Sequence, residues 1–351
     1  MSYRSYFARI LAEIAAVYNL NNGEDILNAY FILTDNSRSL NEEKEVRPAR
    51  KLSRLCWDGT PFEVSVVVSS RLSGLRYVID GLDQALVVSE KAALASAAYE
   101  KVILLHNGYS KLPINYLLRP FISSSIQLPS KLDFVIWHGA EYTNDDTTLK
   151  AYINLKWLPK EMAWRHILAY VNDARPDAGS ILHQGQLPFN HRVSFCGIES
   201  KDGTLSAIKI YLRLEHIQSD DLRHALTVFG ITDYRVVYYL EKFIVKNARG
   251  IGGAVLSLRL PIGSGDLSIK IEVPCVQHFK SDLEAKVNLD SLANEIGLDT
   301  ENYFRILDII CQKSISHTSV DVHTMIGLST NDQENRSMNI YLKPNLWPHH
   351  V

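Results

Sequence analysis

The chain has 351 residues, of which 46% are apolar and 22% are charged. These proportions are those of a folded globular protein and argue against extensive disorder. The 37 Lys and Arg residues nearly balance the 39 Asp and Glu residues, so the formal net charge is −2. That balance gives no reason to expect a nucleic-acid partner or an anionic membrane surface.

The cysteines and the N-terminal residues indicate a cellular compartment. The four cysteines are widely spaced with no CxxC or CxxH pair, so a structural zinc site is not expected. Their apolar neighbours are typical of reduced thiols in a protein core. The first residues mix charges into an apolar helical pattern, and no later segment approaches 18 consecutive apolar residues. We therefore expect a cytoplasmic protein without a membrane span.

The predicted elements repeat along the chain as two strands around a turn, followed by helical sequence. Residues 1–50 are predicted to form an N-terminal helical segment, and residues 52–344 to contain the repeats. The predicted hairpins lie at 52–70, 133–155, 192–214, 254–273 and 319–342, with the turns DGT, NDD, KDG, GSGD and NDQEN. Turns of this composition between β-rich runs are typical of hairpins.

Helices are predicted between these hairpins. Pro159 is expected to occupy the first position of one helix, and Ser219 to cap another that ends at Gly230. The remaining helices are predicted at 82–105, 232–247, 282–296 and 299–313. No linker rich in Pro, Ser or Gly divides the chain, so we expect one domain over residues 1–351. Five ββα repeats give an α+β fold in which ten antiparallel strands close into a barrel surrounded by helices.

The strands alternate apolar and polar residues, and the polar residues recur as Lys-x-Tyr. Residues 149–155 place Lys150 and Tyr152 on one face, and residues 208–214 do the same with Lys209 and Tyr211. A polar face on an antiparallel sheet commonly meets water. In a closed barrel, however, the helices cover the apolar face, and the Lys and Tyr residues then line a lumen wide enough for a ligand. A lumen of that composition favours an anionic ligand.

Three stretches carry a family resemblance. Residues 58–65 read DGTPFEVS and are followed by LRY at 75–77, residues 149–152 read LKAY, and residues 208–211 read IKIY. At these residues the sequence resembles the aromatic prenyltransferases of the dimethylallyltryptophan synthase type. Their barrel of ten antiparallel strands ringed by helices is called the ABBA fold. The repeat covers most of the chain, and the resemblance implies the same fold here.

The resemblance implies that an allylic diphosphate ionises inside the barrel. Lysine and arginine supply the electrostatic stabilisation that metal ions supply elsewhere, so no cofactor is expected and magnesium is not required. The implied diphosphate ligands are Arg76, Lys150, Lys209 and Lys270. The resemblance assigns Tyr152, Tyr211 and Tyr341 to a shield that stabilises the allyl cation through the faces of their rings. The alternatives are solvated strand lysines and ordinary strand tyrosines.

Two further residues are candidates for proton chemistry. The resemblance implies that Glu63 accepts a hydrogen bond from an indole N–H as the ring attacks the cation. His138 follows Trp137 where relatives often carry a lysine, so it is a candidate to take the proton from the alkylated ring. The alternative is a packed or surface histidine. Glu272 replaces a tyrosine of the pattern and is a candidate either to help deprotonate the product or to orient a cationic amine.

The expected function is transfer of a dimethylallyl or geranyl group to a tryptophan-derived indole by Friedel–Crafts alkylation, in specialised-metabolite biosynthesis. The expected partners are the allylic isoprenoid diphosphate and an aromatic small-molecule acceptor. Two alternatives stay open. The same barrel is able to prenylate a tyrosine, a phenol or the side chain of a cyclic peptide, or to bind an anionic small molecule without catalysis. The pairs Asp145-Asp146 and Asp220-Asp221 lack the spacing of a DDxxD magnesium motif and are expected to be solvated.

Overall fold

The computed structural model describes residues 1–37, 39–41, 53, 55–56, 58–69, 74–82, 86–106, 118, 129, 132, 134–177, 182, 191–214, 217–245, 251, 253–263, 265–312, 315–330 and 337–345. Within these residues, ten strands form one sheet that closes on itself. The strands are β1 (Phe62–Ser69), β2 (Leu75–Ile79), β3 (Ile136–Tyr142), β4 (Thr147–Asn154), β5 (His191–Lys201), β6 (Thr204–Leu214), β7 (Val255–Pro261), β8 (Ser268–Pro274), β9 (His323–Thr330) and β10 (Ser337–Leu342).

Each strand pairs antiparallel with its neighbours in chain order, and β1 pairs with β10 to close the barrel. The register at the closure sets Ser65 opposite Tyr341 and Val67 opposite Asn339. Helices surround the barrel, so the predicted ten-stranded antiparallel barrel is confirmed. Closure leaves no unpaired edge in this sheet, which is the physical reason to favour it over an open sheet.

Among the described residues, two helices precede the first hairpin and the others follow hairpins, as predicted. They are α1 (Tyr3–Val17), α2 (Gly23–Thr34), α3 (Val88–Leu105), α4 (Lys160–Ala174), α5 (Ser219–Val228), α6 (Arg235–Tyr239), α7 (Cys275–His278), α8 (Asp282–Ile296) and α9 (Glu301–Cys311). A π-helical turn, Leu240–Ile244, continues α6, and a 3-10 turn covers Ser39–Asn41. None of the helices in the described ranges is long and apolar enough to cross a membrane.

The helix boundaries differ from the predicted ones in five places. Pro159 is the N-cap of α4 rather than its first residue, and α9 covers 301–311 instead of 299–313. Helix α3 begins at Val88, six residues after the predicted start. Ser219 is the first residue of α5 rather than its cap, and the Asp221 carboxylate accepts a hydrogen bond from the backbone N–H of Gln218 at 2.8 Å. The predicted helix 232–247 is divided into α6 and the π-helical turn. Helix α8 has the predicted boundaries.

The first hairpin lies later in the chain than predicted. Strand β1 (62–69) pairs with β2 (75–79), so the hairpin loop falls at 70–73, outside the described residues. The DGT segment does turn, with a positive φ of 98° at Gly59 and the Asp58 carboxylate accepting hydrogen bonds from Thr60. This turn leads into β1 instead of joining two strands. The predicted hairpin at 52–70 was therefore wrong, and Glu63 lies on the first strand of its hairpin.

The alternation along each strand separates a helix-packed face from a lumen face. Phe62 of β1 is fully buried, and its ring stacks on Phe7 of α1 with centroids 4.8 Å apart. In β4, the apolar residues Leu149 and Ile153 belong to the hydrophobic core between barrel and helices. The intervening polar residues point to the opposite face, which is the interior of the barrel. The Lys-x-Tyr residues therefore face the interior of the barrel, as predicted.

Candidate active site

The interior of the barrel contains a group of four basic side chains, which we call the cationic cluster: Arg76, Lys150, Lys209 and Arg259. They come from β2, β4, β6 and β7, and acidic residues on the two intervening strands connect them. Antiparallel pairing sets Arg76 beside Glu141 and Lys150 beside Glu199, so the sequence alternation and the register together build the cluster.

Glu141 of β3 joins the first two members of the cluster. Its carboxylate forms an ion pair with Arg76 and accepts a hydrogen bond from Lys150 Nζ at 2.8 Å. Burial alone raises the pKa of this carboxyl, but the adjacent Lys150 and Arg76 outweigh it and lower the pKa to about 2. Arg76 Nη1 also donates a hydrogen bond to Asn339 Oδ1 at 3.1 Å, which links the cluster to β10.

Glu199 of β5 contacts the other members. Its Oε1 lies 2.6 Å from Lys209 Nζ and 3.7 Å from Lys150 Nζ, and its Oε2 accepts a hydrogen bond from Arg259 Nε at 2.9 Å. Glu199 is only 5% exposed. Burial raises the pKa of its carboxyl, yet the three cations hold that pKa well below its ordinary value. Glu199 is therefore an anion at neutral pH.

Burial also changes the protonation of Lys150. This residue is buried, and desolvation of the ammonium group lowers its pKa to about 8, although Glu141 and Glu199 favour the charged form. Lys150 therefore carries its charge at pH 7 and loses it in mildly alkaline solution.

Two tyrosines lie beside the cationic cluster on adjacent parts of the wall. The rings of Tyr152 and Tyr211 meet edge to face, with centroids 5.8 Å apart. Gly197 lies under both rings: a Cβ atom there would be 3.2 Å from Tyr211 Cε2 and 3.5 Å from Tyr152 Cδ1. The absence of a side chain at this lumen position lets the two rings approach the wall.

Further aromatic rings extend this wall. The ring centroid of Phe195 lies 5.5 Å from that of Tyr211 and 5.6 Å from that of Trp137. The ring of Phe134 stacks on Trp137 with centroids 3.6 Å apart. Burial of Tyr211 raises the pKa of its hydroxyl well above the ordinary value, so the ring stays neutral. A neutral ring presents the negative face of its quadrupole to a cation.

Tyr341, Lys270 and Glu272 form a hydrogen-bonded group on β8 and β10. Lys270 Nζ donates to Tyr341 Oη and lies 2.5 Å from Glu272 Oε1, and the Tyr341 hydroxyl donates to the same carboxylate. Gly327 of β9 lies between the strands, and a Cβ atom there would be 2.9 Å from Lys270 Cδ. Burial lowers the pKa of the Lys270 ammonium. These residues therefore belong to the same lumen as the cationic cluster.

Glu63 has a different environment from the other carboxylates. It is half-buried and accepts a hydrogen bond from Thr324 Oγ1 at 2.5 Å. Burial raises its pKa to about 7; the Thr324 hydrogen bond lowers the pKa and the Glu272 charge raises it further. Unlike Glu141 and Glu199, it has no ion pair within the described residues. A carboxyl group with a pKa near neutrality is suited to exchange protons or to accept a strong hydrogen bond.

His138 does not lie in the lumen. Its side chain points outward from β3 and its ring stacks on Tyr99 of α3, with centroids 5.9 Å apart. It is 1% exposed, and burial lowers its pKa to about 4, so it is neutral. The alternation of β3 gives the reason, because Trp137 and Gly139 occupy the inward positions on either side. The expectation that His138 takes a proton from the product was wrong, and the packed histidine is what the structure has.

The two aspartate pairs lie at the surface, as predicted. Asp145 and Asp146 are exposed in the loop between β3 and β4, where Asp146 pairs with Lys201 at 2.8 Å. Asp220 and Asp221 begin α5. In the parts of the chain that the structure describes, no group of three or more His, Cys, Asp or Glu residues could hold a metal ion.

The structure adds lumen residues that the sequence analysis did not select. These are Glu141, Glu199, Arg259, Thr324 and Asn339. Four of them lie on the first strand of a hairpin (β3, β5, β7 or β9), whereas the Lys-x-Tyr pattern lies on the second strand. The period-2 rule applied to β3, β5 and β7 places Glu141, Glu199 and Arg259 inward. Their ion pairs, however, depend on the register between neighbouring strands, and that register cannot be read from the sequence.

The comparisons with known proteins concern the fold. No protein-family model and no curated protein matches this sequence. Among solved structures, 5-dimethylallyltryptophan synthase from Streptomyces coelicolor matches with a TM-score of 0.81 and 14% identity over 99% of both chains. The 6-dimethylallyltryptophan synthase from Micromonospora olivasterospora, in complex with DMASPP and Trp, has a TM-score of 0.83 and 16% identity over 99% of this chain and 98% of its own.

A third structure, the complex of PriB with product diphosphate, matches with a TM-score of 0.80 and 15% identity over 99% of this chain and 97% of its own. PriB is a prenyltransferase. The fold of this chain is therefore the ten-stranded barrel fold of these prenyltransferases, over nearly the whole length of each. At such identities the likeness concerns architecture, and the chemistry rests on the side chains described above.

Proposed function

We propose that the protein is an aromatic prenyltransferase. It would transfer a dimethylallyl or geranyl group from the allylic diphosphate to the indole of a tryptophan-derived acceptor in specialised metabolism. The observation that supports this proposal most strongly is the cationic cluster inside a closed barrel, directly beside the neutral rings of Tyr152 and Tyr211. An anion and a carbocation require these two environments side by side.

The cationic cluster and Lys270 would bind the diphosphate. Ionisation of an allylic diphosphate leaves negative charge on the departing pyrophosphate, and preorganised ammonium and guanidinium groups stabilise that charge. In the free protein, Glu141, Glu199 and Glu272 hold these cations in position, so the donors are already placed in the lumen when the diphosphate enters. No metal ion is part of this proposal.

The tyrosines would protect the allyl cation. Tyr152, Tyr211 and Tyr341 are neutral because burial raises their pKa values. Their ring faces stabilise a cation by up to about 2 kcal/mol each when water is excluded. They also cover the reactive carbon, so that the acceptor ring reacts before a water molecule does.

Glu63 would orient the acceptor. An indole N–H that donates a hydrogen bond to the Glu63 carboxylate gains electron density in the ring as the carbon attacks the cation. Thr324 fixes this carboxylate at 2.5 Å. The pKa of about 7 means that the indole competes with a proton for the same oxygen atoms.

Solved structures of the same fold support the choice of substrates. The Micromonospora enzyme was crystallised with DMASPP and Trp, and PriB with L-tryptophan and dimethylallyl thiolodiphosphate. A reduced, cytoplasmic environment is part of the proposal, and the four free cysteines support it.

The experiment is a turnover assay by mass spectrometry in the presence of EDTA. Purified protein receives dimethylallyl or geranyl diphosphate and a panel of tryptophan, simple indoles, tyrosine and cyclic dipeptides that contain tryptophan. An indole that gains one isoprenyl mass would support the proposal, and modified tyrosine would reassign the acceptor. Diphosphate binding without product from any acceptor would favour a binding protein. Failure to bind either donor would contradict the proposal.

A further inference from the structure

In the free protein, the carboxylate of Glu199 is the anion that three members of the cationic cluster surround. Two lysines and one arginine, from three different strands, converge on the two oxygens of a single carboxylate. A carboxylate with this environment occupies the position in which these cations would hold oxygens of a bound phosphate. Glu141 has a comparable contact with Lys150, and of these two carboxylates Glu199 is the one that also contacts Lys209 and Arg259.

We propose that Glu199 is an internal counterion that competes with the donor's diphosphate for Lys150, Lys209 and Arg259. The inference rests on the proposed function, since it assumes that this cluster binds a diphosphate. When the donor binds, the diphosphate oxygens replace the Glu199 carboxylate on these cations. When pyrophosphate leaves, the carboxylate returns to them.

Electrostatics favours exchange over simultaneous binding. Charges in a buried site interact strongly because the surroundings screen them poorly. Glu199 and a diphosphate that shared the same three cations would lie within a few ångströms of each other, and their repulsion would weaken the binding of both. A carboxylate that carries a full negative charge at neutral pH therefore reduces the affinity of this site for a second anion.

The free site also gains from this arrangement. Without a counterion, the three cations would repel one another, and the buried Lys150 already has a lowered pKa. In the free protein, Glu199 favours the charged form of Lys150 and holds all three side chains in position. Its return would also assist the release of pyrophosphate, because the departing anion leaves no unpaired charges behind.

The test compares pyrophosphate binding to wild-type protein and to Glu199→Gln by isothermal titration calorimetry in EDTA. Glutamine keeps the shape of the side chain and removes its charge. We expect the dissociation constant of the variant to fall by on the order of tenfold or more. Inhibition of turnover by added pyrophosphate should strengthen in parallel. Glu295→Gln is the matched control, because it removes a carboxylate from an exposed lysine pair with Lys242 at 2.8 Å.

The outcomes separate this inference from the proposed function. Tighter binding to Glu199→Gln, with no change in Glu295→Gln, supports the inference. Pyrophosphate that binds wild type but binds the variant equally or more weakly overturns it, because Glu199 then supports the cations instead of competing. In that case the proposed function stands. If neither protein binds pyrophosphate or dimethylallyl thiolodiphosphate, both the inference and the proposed function fail.

A second measurement does not depend on the folding of a variant. In a crystal structure of wild-type protein with pyrophosphate, we expect the Glu199 carboxylate to have moved beyond 4 Å from Lys209 Nζ, where it now lies at 2.6 Å. An unmoved Glu199 with pyrophosphate bound to the same three cations would overturn the inference.

Discussion

Replacing Glu63 by glutamine should make the free protein more stable at alkaline pH. The folded protein holds this carboxyl protonated up to a pKa of about 7, whereas the ordinary pKa of a glutamate side chain is 4.5. Between these two values the unfolded chain releases the proton and the folded protein keeps it. The free energy of unfolding of the wild type therefore decreases as the pH rises through this window.

The size of the effect follows from the two pKa values. One pKa unit corresponds to 1.36 kcal/mol, so a rise from 4.5 to about 7 costs the wild type about 3 kcal/mol at pH 8. At pH 5 most of this cost is absent, and it amounts to about 1 kcal/mol or less. Glutamine is neutral at every pH and is able to keep the hydrogen bond from Thr324, so it removes the cost.

Urea denaturation of both proteins at pH 5 and pH 8 measures the effect. The stability difference should favour Glu63→Gln and should grow by about 2 kcal/mol between the two pH values. Glu100→Gln on the exposed face of α3 is the control, and its difference from wild type should stay constant with pH. A difference for Glu63→Gln that is constant, or that shrinks with rising pH, would refute the raised pKa of this carboxyl.

The same variant should lose about 10²-fold in kcat if Glu63 holds the acceptor, which is in the usual range for groups that move or polarise a proton. A protein that is more stable but less active is the expected signature of a side chain retained for function. Unchanged turnover in Glu63→Gln would remove this carboxylate from the mechanism, whatever its effect on stability.

Three other predictions concern the lumen. Lys150→Ala and Lys209→Ala should each weaken pyrophosphate binding by about 10- to 100-fold in calorimetry, because each removes a charged hydrogen-bond donor. Unchanged affinity would show that the cationic cluster is not the diphosphate site. The kcat/KM for the acceptor should rise through pH 7 as Glu63 ionises, and a profile that is flat from pH 6 to 8 would contradict that assignment. The kcat/KM for the donor should fall above pH 8 as Lys150 loses its proton, and a profile that is flat from pH 7 to 9 would contradict the assignment of Lys150. Tyr152→Leu and Tyr211→Leu should each lower kcat by about 10- to 30-fold and increase hydrolysis of the donor. The prenyl alcohol and the prenylated product are measured together. A ratio of alcohol to product equal to that of the wild type would refute the shielding role of these tyrosines.

The barrel could be predicted from sequence because its signal is repeated. The alternation in 149–155 and 208–214 is regular, and the four later hairpins each have a turn of distinctive composition. The same alternation correctly placed Tyr341 and Glu272 in the lumen. The first hairpin was misplaced because the DGT turn at 58–60 has the composition of a hairpin loop, although it precedes β1.

The electrostatics of the site could not be predicted in the same way. Whether Lys150 contacts one carboxylate or two depends on how β3, β4 and β5 align, and that alignment is set by packing between distant residues. The outward position of His138 did follow from the alternation of β3, since its neighbours Trp137 and Gly139 occupy inward positions. The expected role of that residue came from the resemblance and not from its place in the strand.

The most direct test of the account is a single-turnover reaction with dimethylallyl diphosphate, tryptophan and excess EDTA, in which prenylated product and pyrophosphate are both quantified. The account predicts that the two appear in equal amounts with wild-type protein, and that Lys209→Ala slows both equally. Product that forms only when magnesium is restored, or no pyrophosphate release from any donor and acceptor pair, would contradict it.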